Sequence, residues 1–192
     1  MVDVTEQTDE TRARIVSTAD ALYYARGINA VGMDEVRTAA GVSLKRLYAE
    51  FPGKEQLVLA VLASRHRQWE DGLARTAAGL DDPRQRLLAV FDFLEEWFRD
   101  DTFRGCGFVN AFGELGATSP AVADAARAHK QSFQDHVARL AVEAGADASL
   151  GAHLALLAEG AQTTAAISGR ADAAGQARKA AEVLVDAALG PR

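Results

Sequence analysis

Lys45 and Arg46 stand side by side, Tyr48 follows two residues later, and Lys54 comes just after the break at Pro52-Gly53. Arginine can give two parallel hydrogen bonds to a guanine edge, and a lysine near a helix start can meet a phosphate together with the free backbone N–H groups there. Lys45, Arg46 and Lys54 are thus candidates for contact with nucleic acid. The plain alternative is a solvated helix face with ordinary surface cations. A second set lies further on. Cys106, Asn110 and Glu114 recur at i, i+4 and i+8 and so share one helix face. Trp69, Phe91 and Phe133 lie in the stretch 69–133, which holds most of the aromatics. A small-molecule pocket is mostly apolar with a few placed polar groups, and these six residues suit one. The aromatics can equally be core, and Asn110 can equally cap a helix or bridge two.

Other chemistry is thin. His66, His129, His136 and His153 form no H-E-x-x-H pattern and have no cysteine partners, so no metal site is expected. No serine sits in a G-x-S-x-G elbow, and no glycine-rich phosphate loop follows a strand. No cofactor is implied. An all-helical enzyme or small-molecule-binding protein without DNA binding is the alternative reading, and Glu114 acting as a base would be its only support.

The chain has 192 residues, enough for one or two domains with real cores. Its apolar fraction of 48% and charged fraction of 25% are ordinary for a soluble globular protein. No apolar run reaches the roughly 18 residues a membrane span needs, and the polar, acidic start "MVDVTEQTDE" is unlike a signal peptide. Cys106 is alone, which excludes an internal disulfide and suits the cytoplasm. The net charge of −6 argues against a protein that coats nucleic acid generally. The charge is uneven, however. Residues 12–54 carry seven Lys and Arg against four Asp and Glu, a net +3 between an acidic start and an acidic body. Such asymmetry points to a nucleic-acid site near the N-terminus.

The elements that must hold these residues are helices. Ile15, Ala19, Leu22 and Ala25 fall at helical spacing before Gly27, predicting a first helix over about 9–26. Met33, Val36, Ala39 and Ala40 predict a short second one that stops at Gly41. Ser43 caps a third, with Leu44, Leu47, Tyr48 and Phe51 on one stripe, ended by Pro52-Gly53. Further helices are expected at about 54–78, from Pro83, at about 103–116, from Pro120, and at about 149–168 and 171–189. No alternating β pattern competes. The fold class expected is all-α, with about nine helices.

The second and third helices, joined at Gly41, have the layout of a helix-turn-helix over about 33–51. Val42 and Leu47 would turn inward, and Lys45, Arg46 and Ala49 outward, where a recognition helix meets the major groove.

"GINAVGMDEVRTAAGVSLKRLYAEFPGKEQL" (27–57) resembles the DNA-binding region of the TetR family of transcriptional regulators. The matching residues are Ala40-Gly41-Val42-Ser43, Leu47-Tyr48, Phe51 and Lys54-Glu55-Gln56-Leu57. "FRGCGFVNAFGEL" (103–115) looks like a segment of one branch of that family. The resemblance implies an N-terminal DNA-binding domain at 1–53 and a ligand-binding and dimerisation domain at 54–192. It implies a cytoplasmic homodimer that binds a double-stranded, palindromic operator and an unidentified small-molecule effector, most often as a repressor released by its ligand, with no membrane partner. Carried over residue by residue, Ser43, Lys45, Arg46, Tyr48 and Lys54 match positions that contact DNA. Two departures stand out. Val31-Gly32 replaces the Thr or Ser that often starts the second helix, which removes a hydroxyl–phosphate bond. Glu50 stands where His is common, and a carboxylate there repels a nearby phosphate but can pair with Arg46 at i+4.

The C-terminal helices carry stripes of small and apolar residues: Leu150, Leu154, Leu157, Ala158, Ala161 and Ala165 on one, Ala181, Leu184, Val185 and Ala188 on the other. Two such helices from each subunit would make a four-helix bundle about a two-fold axis, with Leu154, Leu157, Ala161 and Leu184 at the seam. The alternative is that the stripes are used only within one chain.

Overall fold

The computed structural model describes residues 4–190 of the chain. Asp3 of the acidic start lies outside them. Among the described residues there are nine helices and no strand. They are α1 (Val4–Arg26), α2 (Met33–Ala39), α3 (Leu44–Glu50), α4 (Lys54–Ala77), α5 (Pro83–Phe98), α6 (Gly107–Leu115), α7 (Pro120–Glu143), α8 (Ala148–Ser168) and α9 (Ala173–Leu189).

Two boundaries differ from the sequence expectation in an instructive way. Helix α1 starts near residue 4 rather than 9 because no Gly or Pro interrupts that stretch. Helix α6 starts at Gly107 rather than near 103. Ahead of it, Asp100 Oδ1 accepts from both the Thr102 N–H and the Thr102 hydroxyl at 2.7 Å. This local turn competes with helix, and Phe103 then folds back against Trp97 and Phe98, with ring centroids 5.1 and 4.8 Å apart.

The chain divides into two compact units, each made of two stretches of sequence. The first unit is residues 1–67 with 107–126, so it takes in the first half of α4, all of α6 and the start of α7. Its buried side chains include Ile15, Val36, Leu47, Phe51, Leu57 and Val122. The second unit is residues 68–106 with 127–192. Its core runs through Leu87, Phe91, Leu94, Phe133, Leu154 and Val185, with α5, α8 and α9 against one another. Arg178 of α9 reaches Asp92 of α5 at 2.7 Å, and Lys130 of α7 reaches Glu159 of α8 at 3.4 Å. No helix among the described residues is long and apolar enough to cross a membrane.

Candidate nucleic-acid interface

The turn between α2 and α3 is closed by backbone bonds. Gly41 adopts φ +64°, a conformation that suits glycine because it has no Cβ. That lets Gly41 N donate to Thr38 O at 3.2 Å and Val42 N to Arg37 O at 3.0 Å, which satisfies carbonyls the end of α2 leaves free. Ser43 then caps α3, its Oγ accepting from Arg46 N at 3.1 Å. Gly32 precedes α2 with no side-chain cap.

Helix α3 is too short to be held by its own ladder, and its neighbours fix it. Leu47 is wholly buried and Phe51 nearly so. Leu44 and Tyr48, on the same stripe in the sequence, point outward at 44% and 45% exposure, and for Tyr48 this suits the DNA contact the resemblance implies. Seven residues give only two turns, and the inward face has room for Leu47 and the closing Phe51 alone. Ser43, Leu44, Lys45, Tyr48 and Ala49 therefore form one exposed face. Leu44 was missed as a candidate. An exposed leucine beside Lys45 is an apolar contact of the kind a thymine methyl can meet.

Two residues of α1 hold the pair of short helices from behind. Arg14 Nε donates to Ala40 O at 3.1 Å, and Arg12 Nη1 donates to Glu50 O at 3.0 Å. Each meets a carbonyl at the C-terminal end of α2 or α3, where the helix carries partial negative charge. Nothing in the sequence marks these arginines, because 26 and 38 residues separate the partners. Arg12 also lies over the Phe51 ring, 4.3 Å from its centroid. Arg46 reaches back to Glu50, Nη2 to Oε1 at 2.8 Å.

Lys54, the first residue of α4, is turned partly inward. Its ammonium lies 5.9 Å from the centroid of the Tyr23 ring. Partial burial holds its pKa below the ordinary lysine value, and the charge of Glu114 partly offsets this. Lys54 begins α4, and the N–H groups of a helix start are of the kind that can meet an anion.

The polar candidates of the helical body do not stand together as drawn. Glu114, expected to orient a ligand, is engaged within the first unit: Oε1 accepts from Ile28 N at 2.9 Å and Oε2 from Asn29 N at 2.7 Å. Gly27, at φ +90°, allows this approach, since a Cβ there would stand 3.3 Å from Glu114 Oε1. Asn110 and Glu114 line a small, partly open cleft with Asp20, Tyr23, Tyr24 and Arg65. Arg65 pairs with Asp20 and lies over the Tyr24 ring at 3.7 Å. Burial pushes the Asp20 carboxyl up, against the pull of Arg65. Cys106 is buried, lies before α6 begins, and belongs to the second unit. Of the expected i, i+4, i+8 set, Asn110 and Glu114 lie on α6 and Cys106 immediately precedes its first residue.

Phe91 and Phe133, expected to line a pocket, are 1% and 2% exposed in the core of the second unit. Trp69 is partly exposed at its edge, with ring centroids 5.1 Å from Phe133 and 5.2 Å from His129. Among the described residues no three His, Cys, Asp or Glu side chains are grouped to hold a metal ion.

Of the seam residues, Leu154 and Ala161 are buried in the chain's own core, so they have no surface left for a partner. Leu157 and Leu184 are partly buried at its edge. The exposed large apolar side chains of α8 and α9 are Leu156, Ile167 and Val183, at 66%, 83% and 67%.

Residues 15–61 match the family model described as bacterial regulatory proteins, tetR family, and residues 83–181 match one described as a tetracyclin repressor-like C-terminal domain. An HTH-type transcriptional activator, FasR, from Mycolicibacterium smegmatis is 38% identical over 91 residues, 45% of this chain and 42% of that protein. An HTH-type transcriptional regulator, TtgR, from Pseudomonas putida is 37% identical over 95 residues, 46% of this chain and 45% of that one. The chain thus spans less than half the length of these curated relatives. A crystal structure of a TetR-family transcriptional regulator from Streptomyces coelicolor superposes with a TM-score of 0.86 at 28% identity, covering 94% of this chain and 97% of that one.

Proposed function

The chain belongs to the TetR family of bacterial regulatory proteins, and from that premise we propose that it is a transcriptional regulator that binds operator DNA through α3 and changes its grip when a small molecule binds the helical body. The observation that carries this reading is the outward face of α3. Ser43, Leu44, Lys45, Tyr48 and Ala49 are exposed together on a helix set by a closed glycine turn and buttressed by two arginines. Lys45 and Tyr48 suit phosphates, Arg46 a guanine and Leu44 a thymine methyl. Lys54 adds a helix start that can take a phosphate.

The protein acts as a homodimer on this reading, in the cytoplasm. Support comes from Leu156, Ile167 and Val183, apolar side chains that α8 and α9 of a single chain leave exposed. Two copies joined there would supply two α3 helices, one for each half-site of a palindrome. Repression relieved by ligand is the family habit, although FasR is an activator by name. Of the residues expected to hold the effector, Phe91 and Phe133 are core, whereas Asn110 and Glu114 line a cleft of the first unit.

The test is selection of bound duplexes from a random pool by the purified protein. A palindromic consensus with half-sites about one helical turn or a multiple of it apart is expected. Recovery of no consensus, together with turnover of a small molecule, would favour a helical enzyme instead.

A further inference from the structure

Glu50 is the one acidic residue on α3, and it is held from two sides. Arg46 Nη2 stands 2.8 Å from its Oε1. Arg12, on α1, stands 3.7 Å from its Oε2 while binding its backbone carbonyl at 3.0 Å. The Glu50 side chain is only 11% exposed, and Arg46 Nε is closed off from solvent without an acceptor among the described residues. An i, i+4 pair on a helix surface is ordinarily exposed, and water replaces it at little cost. The structure makes it a different object. A carboxylate mostly removed from water and fixed by a second arginine cannot simply hydrate when Arg46 leaves it. Arg46, the cation best suited to read a base, therefore starts from a paired position along its own helix.

Two kinds of DNA contact then differ in how well they replace Glu50. A phosphate on random DNA offers Arg46 another anion, while Glu50 stays behind beside the negative backbone. A guanine offers the planar two-bond partner that matches the guanidinium fork. We propose that Glu50, fixed by Arg12, is a specificity-determining residue that restrains Arg46 from random DNA and yields it to a guanine in the cognate site. This rests on the reading of α3 as the DNA-contacting helix.

The experiment uses the full chain, wild type and Glu50→Gln, each also in an Arg46→Ala background. Affinity is measured by fluorescence anisotropy for the selected duplex and for a random duplex of equal length, at three salt concentrations. Glu50→Gln is expected to bind random DNA about tenfold tighter and to steepen its salt dependence by about one phosphate's worth, a slope change of roughly 0.9. Its affinity for the selected duplex changes less, so the ratio of the two narrows. In the Arg46→Ala background, where there is no base reader to restrain, the same substitution leaves the ratio unmoved. Thermal unfolding of each variant confirms that it is folded, and neither the ratio nor the salt slope follows from a merely structural role. Narrowing that is equal in both backgrounds would make Glu50 an ordinary surface charge and overturn the inference. So would an unchanged ratio in a wild type that does select DNA. A wild type that retains no duplex sinks the DNA-binding reading itself, and this inference with it.

Discussion

Arg46 and Tyr23 show how far a single side chain's role depends on what surrounds it. Arg46 is 39% exposed and already paired, so its service to DNA is an exchange of partners. Arg46→Ala should cost roughly 1–3 kcal/mol on the selected duplex and relax preference at one base pair. Competition binding against a panel of single-base variants reads this out, and uniform weakening across the panel would make it a phosphate contact. Tyr23 is buried, with no hydrogen-bond partner for its hydroxyl among the described residues. Burial pushes its pKa from 10.0 up to about 12. The folded chain thus keeps a proton that the unfolded chain releases above pH 10, and the stability this provides is lost as pH rises through about 12. Melting temperatures across this alkaline range should fall less steeply in Tyr23→Phe than in the wild type. Equal slopes would mean that Tyr23 titrates as an exposed phenol.

At the scale of elements, close approach of backbones decides more than helix propensity does. Gly151 of α8 is buried against α7: a Cβ there would stand 2.5 Å from Ala138 Cα and 2.7 Å from Ala138 N. Replacing a mid-helix glycine by alanine ordinarily gains about 1 kcal/mol. Here the obstructing atoms are backbone, so overpacking costs about 1–3 kcal/mol and outweighs that gain. Gly151→Ala should therefore lower stability in denaturant unfolding, and a stabilised variant would show that α7 and α8 separate easily. The same principle places Glu114. Its two oxygens take the N–H groups of Ile28 and Asn29 because Gly27 presents no Cβ to them.

For the whole molecule the open matter is the exposed apolar side of α8 and α9. Leu156 is 66% exposed, so Leu156→Glu should leave the monomer's fold intact. If that side is the seam of the homodimer, the substitution buries two uncompensated charges about the two-fold axis. Sedimentation should then show a monomer, and binding to the palindrome should fall to that of a single half-site or less. A variant that still sediments as a dimer would remove Leu156 from the interface.

What the sequence alone determined is the part built from local rules. The short second and third helices, the glycine turn at 41 and the Ser43 cap follow from backbone chemistry spanning four to six residues. They appear in the structure with the expected limits. The family resemblance rested on the same stretch for the same reason. Only the tertiary structure decided which of several equivalent apolar positions faces inward. Leu44 and Tyr48 share a helical stripe with Leu47 and Phe51 in the sequence, yet they are exposed, because α3 is so short that neighbouring helices choose its inner side. Leu154 and Ala161 are core rather than seam, and α8 instead exposes Leu156, two residues beyond Leu154. The role of Glu50 also belongs to the tertiary structure. Its pairing with Arg46 is one helical turn and could be read from spacing, whereas the second arginine beside it, Arg12, comes from 38 residues away. Spacing carries local geometry, and burial is set by segments that sequence distance does not connect.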